Sequence, residues 1–297
     1  MRALVTGATG FIGRRLVARL QRPVVLTRDA AKAKMVLGDV EAFAWEPEEG
    51  LAPPAAFDGV DAVIHLAGET VAGRWTQDKK RRILNSRVLG TRNLVATIGA
   101  LATRPRVLVS TSAVGYYGSC GDQILDESSP AGRDFLAGVC KEWEETSAAA
   151  RELGVRVVNP RIGLVLGEKG GALERMLFPF RMGLGGPIGS GKQWWPWVHV
   201  DDVVGILLHA ISSNDMTGPI NAVGPQPVTN LEFTRALGAV LKRPAFLPMP
   251  EFALRLTLGE FTDALVSSAR VIPAVAVRTG YQHSYTSLER ALHESVK

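Results

Sequence analysis

The clearest pattern in the chain lies in its first 27 residues. A short apolar run, Ala3 to Val5, meets glycines at Gly7, Gly10 and Gly13, and apolar positions at helical spacing follow at once: Phe11, Ile12, Leu16, Val17 and Leu20. This predicts strand, tight turn and helix, and a second apolar run, Pro23 to Thr27, arrives after one helix length as the next strand of a βαβ unit. Further along, Asp61 to Gly68 reads as a buried strand ending in small residues and 76 to 102 as a long helix. Arg104 to Ser112 is a strand ending in three hydroxyl residues, 134 to 152 a helix, and Val155 to Leu166 a strand that breaks at Pro160. Val198 to Leu208 begins extended and turns into a helix capped by Asp201; Pro219 to Val223 is another short strand. From Asn230 onward the pattern is helical with proline interruptions and ends in a capped helix at Thr286 to Leu292.

Alternating strands and helices of this kind predict an α/β protein: a Rossmann-type, doubly wound parallel sheet with a smaller, mainly helical C-terminal lobe. Residues 1–165 would form the nucleotide-binding domain, with 198–224 returning to it, and 166–197 and 225–297 the substrate lobe. The glycine spacing gives that nucleotide site a mechanism. Gly7 allows the sharp turn out of the strand, Gly10 lets backbone approach a pyrophosphate, and Gly13 lets the helix pack closely. The free N–H groups at the helix start, from Thr9 through Phe11 and Ile12, face the phosphates. Thr27-Arg28 closes the second strand, where an acidic residue binds a ribose 2′-hydroxyl and an arginine suits a 2′-phosphate. NADP is therefore expected rather than NAD, with Asp29 the one discordant neighbour.

Composition narrows the class. The composition, 46% hydrophobic and 21% charged, describes a globular protein, and 297 residues suit two lobes or one large α/β domain with an appendage. No charged leader with an apolar core is visible and no stretch is long enough to span a bilayer, so a cytoplasmic protein without membrane partners is expected. Cys120 and Cys140 form no CxxC pair and sit beside no histidine cluster; no metal site is expected. The net charge of +5 is spread along the chain except for Lys79-Lys-Arg-Arg82, read as a solvated helix face or an attractor of a small anion, not of nucleic acid. Gly186-Pro-Ile-Gly-Ser-Gly-Lys192 has the spacing of a phosphate-binding loop, but Gln193 follows the lysine and no strand precedes it, so it reads as an ordinary loop. The tryptophans after it, Trp194, Trp195 and Trp197, either wall a cleft or pack. His65, inside a buried strand, reads as a core histidine.

Taken together, Gly7-Ala-Thr-Gly-Phe-Ile-Gly13, the Asp61 to Gly68 strand, Gly90-Thr-Arg-Asn-Leu94, Ser110 to Gly118 and His199-Val-Asp-Asp202 resemble an extended short-chain dehydrogenase/reductase. Within that superfamily Leu66-Ala-Gly-Glu69, Ser86-Arg87, Leu177-Phe-Pro-Phe180, Gly183 to Gly191 and Trp195-Pro-Trp197 are similar to the epimerase family proteins, a group also labelled putative cell-division inhibitors. The resemblance implies NADP binding, with Thr27-Arg28 at the 2′-phosphate. It places Leu66, Ala67 and Gly68 near the adenosine and diphosphate, Arg82 and Arg87 reaching in from the long helix, and Val165 at the nicotinamide end. Hydride-transferring members use a tyrosine and a lysine four residues later, with a serine holding the substrate oxygen. Registered on Glu144, this chain has Leu136 and Cys140 at that pair, while Ser112 matches the serine and Tyr116 and Tyr117 follow it. Two functions stay open: an NADP-dependent oxidoreductase or epimerase of unknown substrate working through Ser112 and one of those tyrosines, or an NADP-binding sensor that has lost the chemistry. The oligomeric state is not legible.

Overall fold

The computed structural model describes all 297 residues. Its centre is a parallel sheet of seven strands, β1 (Ala3–Thr6), β2 (Val24–Thr27), β3 (Glu41–Ala44), β4 (Ala62–His65), β5 (Val107–Ser110), β6 (Arg156–Ile162) and β7 (Gly218–Ala222). They lie in the order 3-2-1-4-5-6-7, with Ser112–Ala113 carrying β5 on alongside Arg161 and Ile162. The helices are α1 (Phe11–Val17), α2 (Ala30–Leu37), α3 (Gln77–Ala100), α4 (Phe135–Ala148), α5 (Gly171–Arg181), α6 (Val200–Ser212), α7 (Asn230–Leu241), α8 (Glu251–Leu258), α9 (Phe261–Val266), α10 (Ala274–Arg278) and α11 (Leu288–Ser295).

Strands β1, β4 and β5 are buried on both faces, which is why they read as unbroken apolar runs. One face, through Val5, Ile64, Val109 and Val158, packs on α1 and α6; the other, through Leu4, Val63, Leu108 and Val157, packs on Leu94, Val95 and Ile98 of α3. A separate core gathers Leu173 and Phe180 of α5, Phe233 and Leu237 of α7 and Leu288, Ala291 and Leu292 of α11 around Trp195 and Trp197. The tryptophans therefore pack: Trp197 is 1% exposed, and only Trp194 remains half open, under Arg270.

Buried carboxylates tie the C-terminal segments to α6 and to β7. Asp202 accepts from the Tyr281 hydroxyl (2.9 Å) and the backbone of Ser284 (2.7 Å) and Tyr285 (3.0 Å). Glu127 accepts from the backbone of Asn221 in β7 (2.9 Å) and of Val275 in α10 (3.0 Å).

Several local expectations are corrected. Pro160 does not break its strand. Arg156 N–H bonds Arg106 C=O (3.0 Å), and counting by twos the acceptor facing residue 160 is the Ser110 carbonyl; the Asn159 side-chain amide donates to it instead (3.1 Å). The α6 cap is His199, whose Nδ1 accepts from Asp201 N–H (3.2 Å), while Asp201 itself lies in the first turn beside Arg15 and Arg19. The terminal helix starts at Leu288 under a Ser287 cap rather than at Thr286. The glycine loop at 183–191 is, as read, a loop, and protein fills the space its glycines leave: a Cβ on Gly186 would sit 1.6 Å from Leu247 C=O.

Candidate functional site

The last residues of β1, β4 and β5, Thr6, His65 and Ser110, are in register and form a polar row across the carboxyl edge of the sheet. That edge is where open α/β sheets bind ligands, at the point where the strand order reverses, here between β1 and β4. The row is tightly wired. Thr6 Oγ1 accepts from the backbone N–H of Leu66 and Ala67, both at 3.2 Å, so its own proton goes to His65 Nδ1 at 2.7 Å. The remaining imidazole proton is then on Nε2, which is buried without a partner. Burial, aided by the Arg87 charge, pushes His65 down to about 4, so the ring is neutral at physiological pH.

Gly7 leaves β1 at φ +66°, and a Cβ there would meet Leu66 C at 2.8 Å and Ala67 N at 2.9 Å. The turn after β1 and the loop after β4 are thus pressed together, and only glycine satisfies both the conformation and the contact. Gly13 packs on the turn itself rather than on the sheet, its Cβ position being 2.3 Å from Gly7 C=O. A Cβ on Gly10 would approach only Gly7 C=O, at 3.1 Å, and Gly10 is exposed: this is the open side of the turn. Thr9, Phe11 and Ile12 beside it are half-buried. The Phe11 ring is covered by Gly167, Gly170 and Gly171, so the segment that follows Val165 folds over the start of α1.

Arg28 is exposed at the end of β2, next to half-buried Thr27. Asp29 caps α2, its carboxylate accepting from Lys32 N–H at 2.9 Å, which occupies the acid that looked discordant in the sequence. From α3, Arg87 donates to Glu69 C=O (2.9 Å) and Ile83 C=O (3.1 Å), lies against exposed Gly68, and stacks over Trp143 (5.1 Å). The basic run at the start of α3 is dispersed into ion pairs: Lys79 with Glu69, Lys80 with Glu260, and Arg81 and Arg82 with Asp78. Gly7, Leu66 and Ala67 thus meet one another, as do Gly68 and Arg87.

Tyr116 and Tyr117 part company. Tyr117 is fully buried, and its hydroxyl donates within reach of Asn221 Oδ1 (2.7 Å) and Asp126 C=O (2.9 Å) while accepting from Arg161 Nη1 (2.9 Å). Burial pushes this phenol up to about 12, a core group held as a neutral donor. Arg161 forms a two-pronged pair with Glu144, both contacts at 2.8 Å; burial alone would depress the guanidinium, but Glu144 outweighs it and holds the charge. Tyr116 is half-buried, 3.4 Å beneath Arg161, and its hydroxyl takes no part in that network. Ser112 Oγ is buried and unpartnered; the Cys140 thiol lying against it, pushed up to about 11 by burial and Glu144, is a weak donor. The sequence had not marked Glu127, Arg161 or Asn221, and had marked Lys79 only within its basic run and Glu69 only within the resemblance. An arginine inside a strand, as Arg161 is, was the available signal of a buried partner.

Comparison with known proteins agrees with this architecture. Residues 3–223 match the model of the NAD dependent epimerase/dehydratase family, and 249–295 match a domain of unknown function, DUF1731. The chain is 42% identical over 298 residues to the chloroplastic epimerase family protein SDR39U1 homolog of Arabidopsis thaliana, covering 98% of this chain and 86% of that protein. It is 35% identical to epimerase family protein YfhF of Bacillus subtilis, covering 100% and 98%. The crystal structure of human epimerase family protein SDR39U1 with NADPH superposes with a TM-score of 0.87 at 35% identity over 99% of both chains. A glycine turn locked against β4, the strand order around it and the matched length lead to one conclusion: the chain belongs to the NAD dependent epimerase/dehydratase family, within the extended short-chain dehydrogenase/reductase superfamily and alongside its SDR39U1-like epimerase family proteins.

Proposed function

We propose that the chain binds NADP across the carboxyl edge of the sheet and acts as an oxidoreductase or epimerase on a carbonyl or hydroxyl substrate. The observation that carries the cofactor choice is the end of β2: Arg28 is exposed there and its one acidic neighbour, Asp29, is engaged as the α2 cap. A 2′-phosphate gains from that guanidinium, whereas a bare ribose diol finds the Asp29 carboxylate, its neighbour in the chain, already engaged. The open side of the turn at Gly10 suits a pyrophosphate, and the solved human relative is a complex with NADPH. Thr9, Phe11, Ile12 and Gly13 would hold the phosphates, Leu66, Ala67 and Gly68 the adenosine side, Arg82 and Arg87 the flank from α3, and Val165 the far end.

When bound, the cofactor supplies the hydride donor or acceptor. The protein's part is to hold the substrate oxygen and move a proton. In this reading Ser112 Oγ, which has no hydrogen-bond partner, would take that oxygen, and Tyr116, whose hydroxyl lies outside the Arg161 network, would exchange the proton. The sensor reading keeps one specific observation in its favour: half-buried Leu136 and buried Cys140 both lie against Gly115, at the positions where hydride-transferring members carry their tyrosine and lysine.

NADPH consumption against a broad carbonyl panel separates the two. The enzyme reading expects turnover that falls by about 100-fold or more in Tyr116→Phe and in Ser112→Ala. NADPH binding without turnover on any carbonyl would favour the sensor.

A further inference from the structure

Glu69 stands on the loop after β4, and Arg28 on the loop after β2, with β1 and its glycine turn between them. Adjacent strands are about 4.8 Å apart, so the two loops are separated by about 10 Å, within reach of arginine side chains from both sides. Glu69 is held in place by its backbone: Ser86 Oγ accepts its N–H (2.9 Å) and Arg87 donates to its C=O (2.9 Å). Its carboxylate is paired with Lys79, whose side chain is 12% exposed. Arg82, one turn further along α3, shares Asp78 (3.1 Å). The Lys79 hydrogen bond, then the charges of Lys79, Arg82 and Arg28, hold the Glu69 carboxyl below the usual carboxylate range. Lys79 is thus paired with a half-buried carboxylate that also feels the charges of Arg82, from the same helix, and Arg28, across the glycine turn, beside the place a cofactor 2′-phosphate would take.

We infer that Glu69 is a built-in competitor for the cofactor's 2′-phosphate, with Lys79 as the exchangeable cation that leaves the carboxylate for the phosphate and so sets how strongly NADPH is preferred over NADH. This rests on the NADP reading above. A phosphate of nearly two charges draws Lys79 and Arg82 more strongly than a carboxylate of one, but Glu69 remains in the site and repels it. NADH brings no second anion and leaves the Glu69–Lys79 pair intact.

The test is calorimetric titration of NADPH and NADH against the wild type, Glu69→Gln and Lys79→Met. Glutamine keeps the shape, both backbone contacts and a hydrogen bond to Lys79 while removing the charge. Glu69→Gln is expected to tighten NADPH by about 3- to 10-fold and to leave NADH within about twofold, since one nearby exposed charge contributes on the order of 1 kcal/mol. Lys79→Met is expected to weaken NADPH by more than the same factor and to spare NADH. Equal shifts for both nucleotides in Glu69→Gln, or an unchanged NADPH affinity with the melting temperature preserved, would overturn the inference. Its failure is distinct from that of the NADP reading, which fails if the wild type itself does not prefer NADPH.

Discussion

Two adjacent tyrosines show how far residue identity alone carries. Tyr116 and Tyr117 are equivalent in the sequence, yet one phenol is clasped by Arg161, Asn221 and the Asp126 carbonyl and the other is not. Tyr117→Phe should leave Arg161 and Asn221 each short of a buried partner and cost about 1–3 kcal/mol in urea unfolding, while Tyr116→Phe stays within about 0.5 kcal/mol. Equal losses would contradict the assignment. His65 gives a pH signature. Its folded value of about 4 lies below the ordinary imidazole value of 6.5, so the unfolded chain takes up the proton first, and stability is lost as pH falls from 6.5 towards 4. By pH 5 that loss is about 2 kcal/mol, and it should be missing from the pH 7 to pH 5 difference of His65→Gln. The same difference in both proteins would remove His65 as its source. Arg28 drew notice by its place at a strand end, and the glycines of the turn were legible because each acts through the backbone on which it stands. Asp202 and Glu127 were not, because their partners come from about residues 221 to 285 and nothing local marks them.

Among the strands, the buried ones were legible, the mostly buried edge strand β7 included, whereas β3 and the helix α2 beside it were not. Strand β3, Glu-Ala-Phe-Ala, is an outer strand with half-exposed positions, and α2, rich in Ala and Lys, buries only Ala33. Neither offers the apolar period by which the others stand out. Pro160 misled for a different reason. A proline removes a ladder donor, and the sequence does not reveal that the neighbouring Asn159 amide replaces it across the sheet. The glycine turn makes a sharp prediction at this scale. Gly13→Ala forces a Cβ to 2.3 Å from backbone and should lower the melting temperature severely or prevent folding, whereas Gly10→Ala, at 3.1 Å from one carbonyl and otherwise open, should fold and lose nucleotide affinity. A folded, nucleotide-binding Gly13→Ala protein would refute the packing described for the turn.

At the scale of the whole molecule, the sheet, the reversal of strand order beside the glycine turn and the helical C-terminal core follow from the alternation of apolar segments, and membership of the family agrees with them. What pattern reading could not supply is the pairing of distant charges, which decides whether a polar residue is a tie, like Asp202, or an exposed group without an ion pair, like Arg28. That distinction is the central claim in physical form: an unpaired guanidinium at the end of β2 meets a phosphate carried by the cofactor. The direct measurement is calorimetric titration of NADPH and NADH into the wild-type protein and Arg28→Ala. The account predicts binding of NADPH in preference to NADH, and loss of that preference in Arg28→Ala through weaker NADPH binding with NADH unchanged. No heat with either nucleotide from a folded protein, or a preference that survives Arg28→Ala, would contradict it.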